Sequence, residues 1–326
     1  RVLYTFTEEE LRAICDHVEG YIRDHGMTEV QIWQMHNIVE AALEAVRPEV
    51  AKSYRDYRNY KQDFVGMLDS VYKKSQSIMY IGDKENSNTD SALVSTKRSL
   101  IFNQLNKELY QKFFMNTEEL QACRDGYIYV HDMSARRDTM NCCLFDVEHV
   151  LKGGFEMGNL WYNEPKTLNV AFDVIGDIVL SAASQQYGGF TVPSVDLLLE
   201  PYAERSYKML TEKYSRLGLD AETVEKEVMA DILNDFEQGF QGWEYKFNTV
   251  ASSRGDYPFI TMTMGAGTGR FAKLASITML NVRRKGQGKK GQKKPVLFPK
   301  IVFLYDENLH GPGKPLEDVF EAGIQC

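Results

Sequence analysis

Long apolar stretches are missing from this sequence. No run is long enough to span a bilayer, and the first residues, RVLYTFTEEEL, lack the charged, apolar and small-residue regions of a signal peptide. Excess positive charge is missing too, because a net charge of −8 and a pI near 5.4 argue against a general polyanion-binding surface. The sequence therefore predicts a cytoplasmic protein whose main partner is neither a membrane nor a nucleic acid.

Paired cysteines are missing as well. The five cysteines, Cys15, Cys123, Cys142, Cys143 and Cys326, are odd in number and lack the paired spacing of a zinc site. Buried or redox roles suit them better than a secreted disulfide framework, and no metal site is predicted within the chain. What the sequence does have is 326 residues, 43% of them hydrophobic, which is enough for a large core and up to two domains.

Helical periodicity dominates residues 1–80. The spacing from Thr7 to Glu10 is that of a capping box, which predicts the start of a helix. A second amphipathic helix follows and stops before Pro48, and a third begins near Glu49. These residues are predicted to form a small helical domain, and the polar, turn-rich residues 81–95 to form a linker.

Helices and strands alternate over residues 96–326, a pattern typical of an α/β domain. Helices are predicted at residues 96–114, 168–187, 196–217 and 221–243. Strands are predicted at residues 126–130, 141–146, 247–252, 259–264 and 296–305.

The stretch 125–158 combines the residue types best suited to chemistry. His131 and Asp132 follow the C-terminal end of the first predicted strand, and the second predicted strand contains the adjacent Cys142 and Cys143. The period of two along a strand sends these thiols to opposite faces, so only one can face a given cavity. Free cysteines are more often small buried packing residues, and that alternative stays open.

Two glycine-rich segments are candidate anion sites. Residues 286–294 are basic, but no Ser or Thr follows the lysines and no helix clearly begins there, so a mobile surface loop is predicted. Residues 265–270, GAGTGR, follow a strand-like run and could direct backbone amides toward an anion.

Several short motifs occur together in one order. They are GYIYVHD, the cysteine of MNCCLFD, GGFEMGN, SQQYGG with PSVD and PY after it, RGDYPF and LFPKIVF. This order resembles that of the anaerobic (class III) ribonucleotide reductases, from about Glu85 to Cys326. The resemblance implies the ten-stranded α/β barrel of glycyl radical enzymes, of which residues 96–326 would be the N-terminal part.

The resemblance also implies roles for individual residues. Cys326 corresponds to the cysteine that bears the thiyl radical, Cys142 to the second cysteine of the reaction, and Cys143 to a packing position. The expected substrate-binding residues are His131, Asn141, Ser252, Ser253, Arg254, Pro258 and Phe259. Relatives commonly read RSG where this chain has SRGDYPF, so the individual contacts of that motif differ from the family pattern.

Residues 1–80 resemble the C-terminal part of an ATP-cone, a regulatory nucleotide-binding domain. The likeness lies in VEAAL followed by VAKSYRDYR, while the N-terminal strands of a complete cone do not occur in this sequence. It implies that Arg55, Arg58 and Lys61 bind the phosphates of ATP or dATP. The alternative is that these residues form a solvated basic helix face.

The implied reaction is the anaerobic reduction of ribonucleoside triphosphates, regulated by ATP or dATP and by deoxynucleoside triphosphate effectors. Formate is the expected reductant, and a dithiol protein is the alternative. Expected partners are a radical S-adenosylmethionine iron–sulfur activating enzyme and a second copy of the chain, bound through helices 168–187 and 196–217. The family's glycyl radical and its four-cysteine zinc site are expected in a complete polypeptide beyond Cys326.

Other functions compete with this hypothesis. A glycyl radical enzyme of the formate acetyltransferase type would share the barrel, but its adjacent cysteines would be expected in the central loop rather than at Cys142 and Cys143. A non-catalytic, nucleotide-binding regulatory fragment is the second alternative. An α/β domain whose motifs are fortuitous is the third.

Overall fold

A computed structural model describes residues 5–80, 93–136, 140–249 and 257–326. The chain divides into two compact units, Arg1–Gln76 and Ser77–Cys326. The division falls near the end of the predicted helical domain. Most of the predicted linker, residues 81–92, lies outside the described residues.

The first unit is built from three helices, and all three were expected from the sequence. They are α1 (Glu8–Asp24), α2 (Ile32–Val46) and α3 (Pro48–Tyr80), the last of which continues past the end of the unit. The predicted capping box is confirmed, because Glu10 N donates to Thr7 Oγ1 at 3.2 Å and Thr7 N donates to Glu10 Oε2 at 2.9 Å. Helix α2 ends before Pro48, as predicted.

The second unit mixes helices with short strands. Its helices are α4 (Val94–Phe114), α5 (Thr117–Arg124), α6 (Val147–Leu151), α7 (Leu168–Ala183), α8 (Val195–Ser215), α9 (Ala221–Thr249), α10 (Arg270–Lys285) and α11 (Glu317–Gln325), with a 3₁₀ turn at Met133–Ala135. Its strands are β1 (Cys143–Leu144), β2 (Phe155–Met157), β3 (Leu160–Tyr162), β4 (Phe190–Val192), β5 (Ile260–Met264) and β6 (Lys300–Phe303). The predicted α/β class is confirmed.

A parallel sheet organises this unit. Four strands lie in the order β1-β4-β5-β6, and all three pairings are parallel, while β2 and β3 form a separate antiparallel hairpin. Parallel strands begin at the same edge of a sheet. Cys142, Gly189, Phe259 and Pro299, which each precede a strand, therefore share one edge, here called the N-terminal edge. The opposite edge is the C-terminal edge.

One face of the sheet packs on helices. Phe190, Val192, Ile260, Met262 and Met264 are almost fully buried in a core shared with α7, α8, α9 and α10. The residues between them, Thr191, Thr261 and Thr263, are only half-buried. Alternate residues of a strand point to opposite faces, so the helices cover one face and the threonines mark the other. Among the described residues, no helix is long and apolar enough to cross a membrane.

The strand predicted at residues 126–130 is wrong, since in the described part of the chain these residues pair with no other strand. The backbone amides of Tyr127 and Ile128 instead donate to Ala122 O, at 2.9 and 3.4 Å. Tyr127 and Tyr129 are 84% and 86% exposed. Alternating aromatic and β-branched side chains suit a strand, but the alternation does not supply a partner strand.

Helix boundaries account for two further corrections. The strand predicted at residues 247–252 is wrong in its described part, because α9 continues to Thr249. Phe236, Phe240, Trp243 and Phe247 are all buried at helical spacing, so the helical period runs through Phe247. Helix α7 also ends earlier than predicted, at Ala183, and Gln186 then forms an isolated bridge with Met140.

Helix α10 was not predicted. Its sequence carries recognisable end signals, because Arg283, Arg284 and Lys285 fill the last turn and Gly286 follows with φ of 63°. The basic segment 286–294 then folds into a surface turn in which Gln287 and Lys294 exchange two backbone hydrogen bonds, at 2.9 and 2.8 Å.

Candidate active site

Cys142 lies at the N-terminal edge of the sheet, immediately before β1, and is exposed. Its Sγ accepts a hydrogen bond from Gly189 N at 3.2 Å, and its thiol lies 3.7 Å from Asn141 Oδ1. Two of the predicted site residues, Asn141 and Cys142, are therefore held against the turn that precedes β4. The sulfur has a defined position while remaining open on one side.

Gly188 makes this close approach possible. A Cβ atom at residue 188 would lie 2.3 Å from Asn141 Oδ1 and 2.6 Å from Cys142 Sγ. No side chain other than hydrogen fits in that space without displacing its neighbours. The motif SQQYGG, identified in the sequence only as a family marker, thus has a steric reason for its first glycine.

The adjacent thiols occupy different environments, as the predicted alternation requires. Cys143 is half-buried and packs against the core, and its thiol donates to Gln186 Oε1 at 3.0 Å. The amide of the same glutamine donates to Gly189 O at 3.2 Å. Of these two thiols, Cys142 is the exposed one, which agrees with the packing role expected of Cys143.

Phe259, another predicted site residue, lies beside Cys142. A Cβ atom at Gly189 would lie 3.8 Å from Phe259 Cδ1 and 3.9 Å from Cys142 Sγ. The Phe259 ring and the Cys142 sulfur are therefore both close to the main chain of Gly189. Phe259 O accepts from Phe190 N at 2.9 Å, and the carbonyl of Pro258 accepts from Ile260 N at 2.9 Å. The structure therefore brings Asn141, Cys142, Pro258 and Phe259 to one edge.

A polar network at the β6 end of this edge holds the ring that supports Phe259. The Phe259 and Phe298 rings are 5.3 Å apart, and Phe298 is 1% exposed. Asn248 brackets Phe298, because its Nδ2 donates to Phe298 O at 2.6 Å and its Oδ1 accepts from Phe298 N at 3.0 Å. Arg283 donates to Pro299 O at 2.7 Å and pairs with the buried Glu244 at 2.7 Å.

The segment with His131 lies beside an open cleft of about 350 Å³. His131 is 70% exposed in its side chain, and its Nδ1 lies 2.5 Å from Asp132 Oδ2. Asp132 has a left-handed backbone with φ of 51°, which is uncommon for a residue other than glycine. The cleft is lined by Lys107, Gln111, Leu120, Cys123, Arg124, Ile128, Tyr129, Val130, Asp132, Met133, Ser134 and Tyr187. Tyr187 N donates to Met140 O at 3.0 Å, so the cleft ends beside the Cys142 turn.

The glycine-rich segment 265–270 lies at the C-terminal edge and binds the protein's own carboxylates. Gly265 N and Gly267 N each donate to Asp196 Oδ2 at 3.0 Å, and Ser276 Oγ lies 3.3 Å from the same oxygen. Asp196 is 2% exposed. Glu200, one turn further along α8, accepts from Ala272 N at 3.4 Å. The expected anion cradle is thus filled from within the chain.

Cys326 lies at the end of α11 and is exposed. Its backbone N donates to Gly323 O at 3.3 Å. The side chain before it, Gln325, accepts a hydrogen bond from Arg284 on α10 at 2.5 Å. Ser252, Ser253 and Arg254, the remaining predicted substrate residues, lie outside the described residues.

In the first unit, the predicted effector residues differ in their availability. Arg55 donates to Glu40 and Glu44, and its hydrogen bond with Glu40 raises the pKa of its guanidinium. Arg58 donates to Asn37 Oδ1 at 3.0 Å and pairs with Glu40 at 3.0 Å. Arg58 and Lys61 line a cavity of about 530 Å³, together with Ile32, Trp33, His36, Tyr54, Tyr57, Gln62 and Val65.

Within the described ranges, no group of three or more His, Cys, Asp or Glu side chains is arranged to hold a metal ion.

The site residues that the sequence did not suggest are Gln186, Asp196 and Asn248. Gln186 and Asp196 lie within the quoted motifs SQQYGG and PSVD, so motif membership was the available signal.

Comparison with known proteins identifies the family. The family model described as anaerobic ribonucleoside-triphosphate reductase matches residues 85–326. The chain is 32% identical over 318 residues to the anaerobic ribonucleoside-triphosphate reductase of Haemophilus influenzae, covering 94% of this chain and 44% of that protein. It is 29% identical over 315 residues to the Escherichia coli protein of the same name, covering 92% of this chain and 43% of that protein.

A solved structure gives a looser likeness. The anaerobic ribonucleotide reductase from Thermotoga maritima, in complex with dATP and CTP, matches with a TM-score of 0.48 and 14% identity, covering 94% of this chain and 46% of that one. The family assignment does not depend on this likeness. The chain spans less than half the length of the curated relatives it matches. From the family match over residues 85–326, the chain belongs to the anaerobic ribonucleoside-triphosphate reductase family.

Proposed function

We propose that this chain is the part of an anaerobic ribonucleoside-triphosphate reductase that supplies the two cysteines acting on the ribose. The observation that carries the proposal is the setting of Cys142. Its sulfur is exposed, and it is fixed between Asn141 and Gly189 in a space that only glycine at residue 188 permits. Its neighbour Cys143 is committed to packing, so the arrangement presents one thiol and not two.

The proposed chemistry divides between the two cysteines. The thiyl radical of Cys326 takes the hydrogen atom from the ribose 3′ carbon, which forms an S–H bond and leaves a carbon radical. The 2′ hydroxyl leaves as water with the proton of the 3′ hydroxyl, and Cys142 donates a hydrogen atom to the 2′ carbon, which leaves a 3′ carbonyl and a radical on the Cys142 sulfur. Formate returns a hydrogen atom to that sulfur, and its remaining electron, with a proton, reduces the 3′ carbonyl to a carbon radical as carbon dioxide is released. Cys326 then gives its hydrogen atom back to the 3′ carbon, which restores its thiyl radical. In the complete protein, the glycyl radical would be the source of the unpaired electron at Cys326.

Substitution of each cysteine in the complete, anaerobically activated protein tests this proposal. Cys326→Ala and Cys142→Ala should each abolish reduction of ribonucleoside triphosphates, because each removes an atom that enters the reaction. Cys15→Ala is the matched control, since Cys15 is an exposed thiol on α1, and it should leave turnover unchanged. Turnover retained by the Cys326→Ala protein would rule out the assigned role.

The half-buried face that carries Thr191, Thr261 and Thr263 would line the inside of a barrel completed by the remainder of the polypeptide. Helices α7 and α8 would form the contact between two copies and bind the deoxynucleoside triphosphate effector. A radical S-adenosylmethionine iron–sulfur enzyme would activate the dimer, and zinc would bind outside the residues described here. Light scattering over a concentration series that shows only monomer would contradict the dimer.

A second candidate function is nucleotide binding, and a cavity in the first unit supports it. The cavity of about 530 Å³ combines the aromatic rings of Trp33, Tyr54 and Tyr57 with the cations of Arg58 and Lys61. Aromatic faces stack on nucleobases, and cations pair with phosphates. We propose that ATP or dATP binds there. Lys61 is the best suited of the three predicted cations, because Glu40 already pairs with both Arg55 and Arg58, and Glu44 also pairs with Arg55.

Quenching of Trp33 fluorescence by ATP or dATP measures this binding in the chain as it stands. Lys61→Gln should weaken nucleotide binding several-fold, because it removes one phosphate partner in a solvent-screened position. Lys52→Gln is the control, since Lys52 is exposed on the same helix and does not line the cavity. Equal weakening by both variants would indicate a non-specific charge effect and contradict the site.

A further inference from the structure

Lys300 is the first residue of β6 and belongs to the motif LFPKIVF. Its side chain is exposed, and its Nζ lies 3.9 Å from the centre of the Phe259 ring. At an exposed site, a cation over an aromatic face is stabilised by only about 0.5–1 kcal/mol. Within the part of the chain that the structure describes, no carboxylate pairs with this ammonium. Its positive charge is therefore available to an external anion.

The main chain that leads into Lys300 is fixed by polar side chains. Asn248 forms hydrogen bonds with both the N–H and the C=O of Phe298, at 3.0 and 2.6 Å. Arg283 donates to the carbonyl of the next residue, directly before Lys300, at 2.7 Å. The Phe298 ring in turn lies 5.3 Å from that of Phe259. The base of the Lys300 side chain and the ring below its ammonium therefore belong to one packed unit.

The strand register places Lys300 on the face of the sheet that the helices leave uncovered. Lys300 pairs with Thr261, and Thr261 pairs with Thr191. Side chains at paired positions of neighbouring strands point to the same face, so Lys300 shares the face that the two threonines mark. Cys142 points to this face as well, because Cys143 packs against the helical core and successive side chains alternate.

The Phe259 ring connects Lys300 to the Cys142 turn. The ring and the Cys142 sulfur are both close to the main chain of Gly189, and the Lys300 ammonium lies over the same ring. Ammonium, ring and sulfur therefore follow one another along the N-terminal edge. The ring also excludes water from one side of the ammonium, and reduced screening strengthens the attraction between a cation and an anion.

We propose that Lys300 binds an oxyanion beside Cys142, and that this anion is a phosphate of the nucleotide or the carboxylate of formate. A lysine ammonium is a compact charge with three hydrogen-bond donors, which suits either group. The inference rests on the proposed function, in which the nucleotide and formate both react at the Cys142 sulfur. It adds a cation to a site that otherwise consists of a thiol, an amide side chain and an aromatic ring.

Alkylation of Cys142 measures the effect of this charge in the chain itself. Iodoacetate and iodoacetamide differ by one negative charge, so the ratio of their rates at Cys142, followed by peptide mapping, reports the local attraction for an anion. Changes in the thiol itself cancel in that ratio. Lys300→Met keeps an apolar side chain over Phe259 but removes the charge, so the iodoacetate-to-iodoacetamide ratio should fall about two- to fivefold at low salt. The difference should vanish at about 1 M salt.

Two further variants make the alkylation result specific. Lys300→Arg keeps the charge and should keep the ratio of the parent chain. Lys226→Met is the matched control, because Lys226 is exposed on α9, in the helical layer that covers the other face of the sheet. An unchanged ratio in Lys300→Met would overturn the proposal. An equal fall in Lys300→Met and Lys226→Met would overturn it too, because net charge and not a local site would then be responsible.

Kinetics of the complete, activated enzyme identify the anion. A several-fold rise in KM for the ribonucleotide in Lys300→Met would assign the phosphate, and a several-fold rise in KM for formate would assign the carboxylate. Unchanged KM values for both compounds, in an enzyme that Cys142→Ala inactivates, would overturn the anion site. Turnover that survives Cys142→Ala would instead refute the proposed function, while the alkylation ratio would still report a cation beside the sulfur.

Discussion

At the N-terminal edge of the sheet, the Cys142 sulfur contacts the main chain of Gly188 and Gly189. At the C-terminal edge, side chains form hydrogen bonds with the main chain of Gly265. Gly188 and Gly189 let the sulfur approach within hydrogen-bond distance of a main-chain amide. Gly265 has its N–H bound by Asp196 and its C=O bound by His310, both 2% exposed. Glycine permits close approach at both turns, but only at Gly265 do buried polar side chains also bind the main chain.

The difference predicts that the Gly265 turn is more sensitive than the Cys142 turn to removal of a polar side chain. An edge built from small residues is damaged when a side chain grows, because neighbouring atoms have nowhere to move. An edge built from buried polar pairs is destabilised when one partner is removed, because the remaining donor or acceptor is buried away from water without a hydrogen-bond partner. Substitutions at the two edges therefore test this difference.

Asp196→Ala should have the largest effect. It leaves the amides of Gly265 and Gly267 without their acceptor in a buried place, and each loss costs about 1–3 kcal/mol. The expected fall in the free energy of unfolding is about 2–5 kcal/mol, measured by urea denaturation. Asp196→Asn keeps an oxygen for both amides and should lose less than the alanine variant.

Glu204→Ala is the control for that experiment, since Glu204 is exposed on the same helix, α8. It should change the free energy of unfolding by less than about 0.5 kcal/mol. A similar loss in Glu204→Ala and Asp196→Ala would mean that α8 itself, and not the buried carboxylate, is responsible. The C-terminal edge would then no longer contrast with the other.

Gly188→Ala should have the second largest effect. The added Cβ would lie 2.3 Å from Asn141 Oδ1 and 2.6 Å from Cys142 Sγ, so Asn141 and Cys142, which precede β1, must move. Overpacking of this kind costs about 1–3 kcal/mol. The adjacent glycine is the matched control, because a Cβ at Gly189 meets nothing closer than 3.8 Å.

The two glycine variants can be compared by urea denaturation and by alkylation of Cys142. Gly189→Ala should unfold within about 0.5 kcal/mol of the parent chain, while Gly188→Ala should also change the alkylation rate of Cys142. If both variants behave alike, the sulfur is not held by the close approach at residue 188. The N-terminal edge would then need a different explanation.

Sequence patterns predicted most of the helices, because helical period and end signals are local. The capping box at Thr7 and the stop before Pro48 each depend on residues a few positions apart, and both are present. The strand at 126–130 failed because pairing depends on a distant segment that alternation does not identify. Its aromatic side chains satisfied the pattern while its amides bonded to α5.

The candidate site was predicted unevenly for a similar reason. Family motifs located Asn141, Cys142 and Phe259, and parallel pairing explains why they meet. The same reasoning could not show that the amides at 265–267 face Asp196 rather than an external anion, because residues far apart in sequence meet only in the fold. His310 lies in none of the quoted motifs, and its burial and its hydrogen bond to Gly265 O are seen only in the folded chain.

The smallest expected effect is a pH dependence in the helix that carries Asp196. Burial raises the pKa of Tyr202, on α8, to about 12 from its usual value near 10. The folded chain therefore keeps this proton to higher pH than the unfolded chain, so the stabilisation is complete below pH 10 and is lost between pH 10 and about 12. The loss by pH 11 should be on the order of 1 kcal/mol.

Urea denaturation at pH 9 and pH 11 isolates this contribution. The parent chain should lose more stability over that interval than Tyr202→Phe, which has no phenol to ionise. Gly188→Ala alters the N-terminal edge and leaves Tyr202 intact, so its pH-dependent loss should match that of the parent chain even though its starting stability is lower. If the pH-dependent loss of stability disappears in Gly188→Ala, residue 188 and Tyr202 are energetically coupled. The two edges, although separate in the folded structure, would then not contribute independently to the free energy of unfolding.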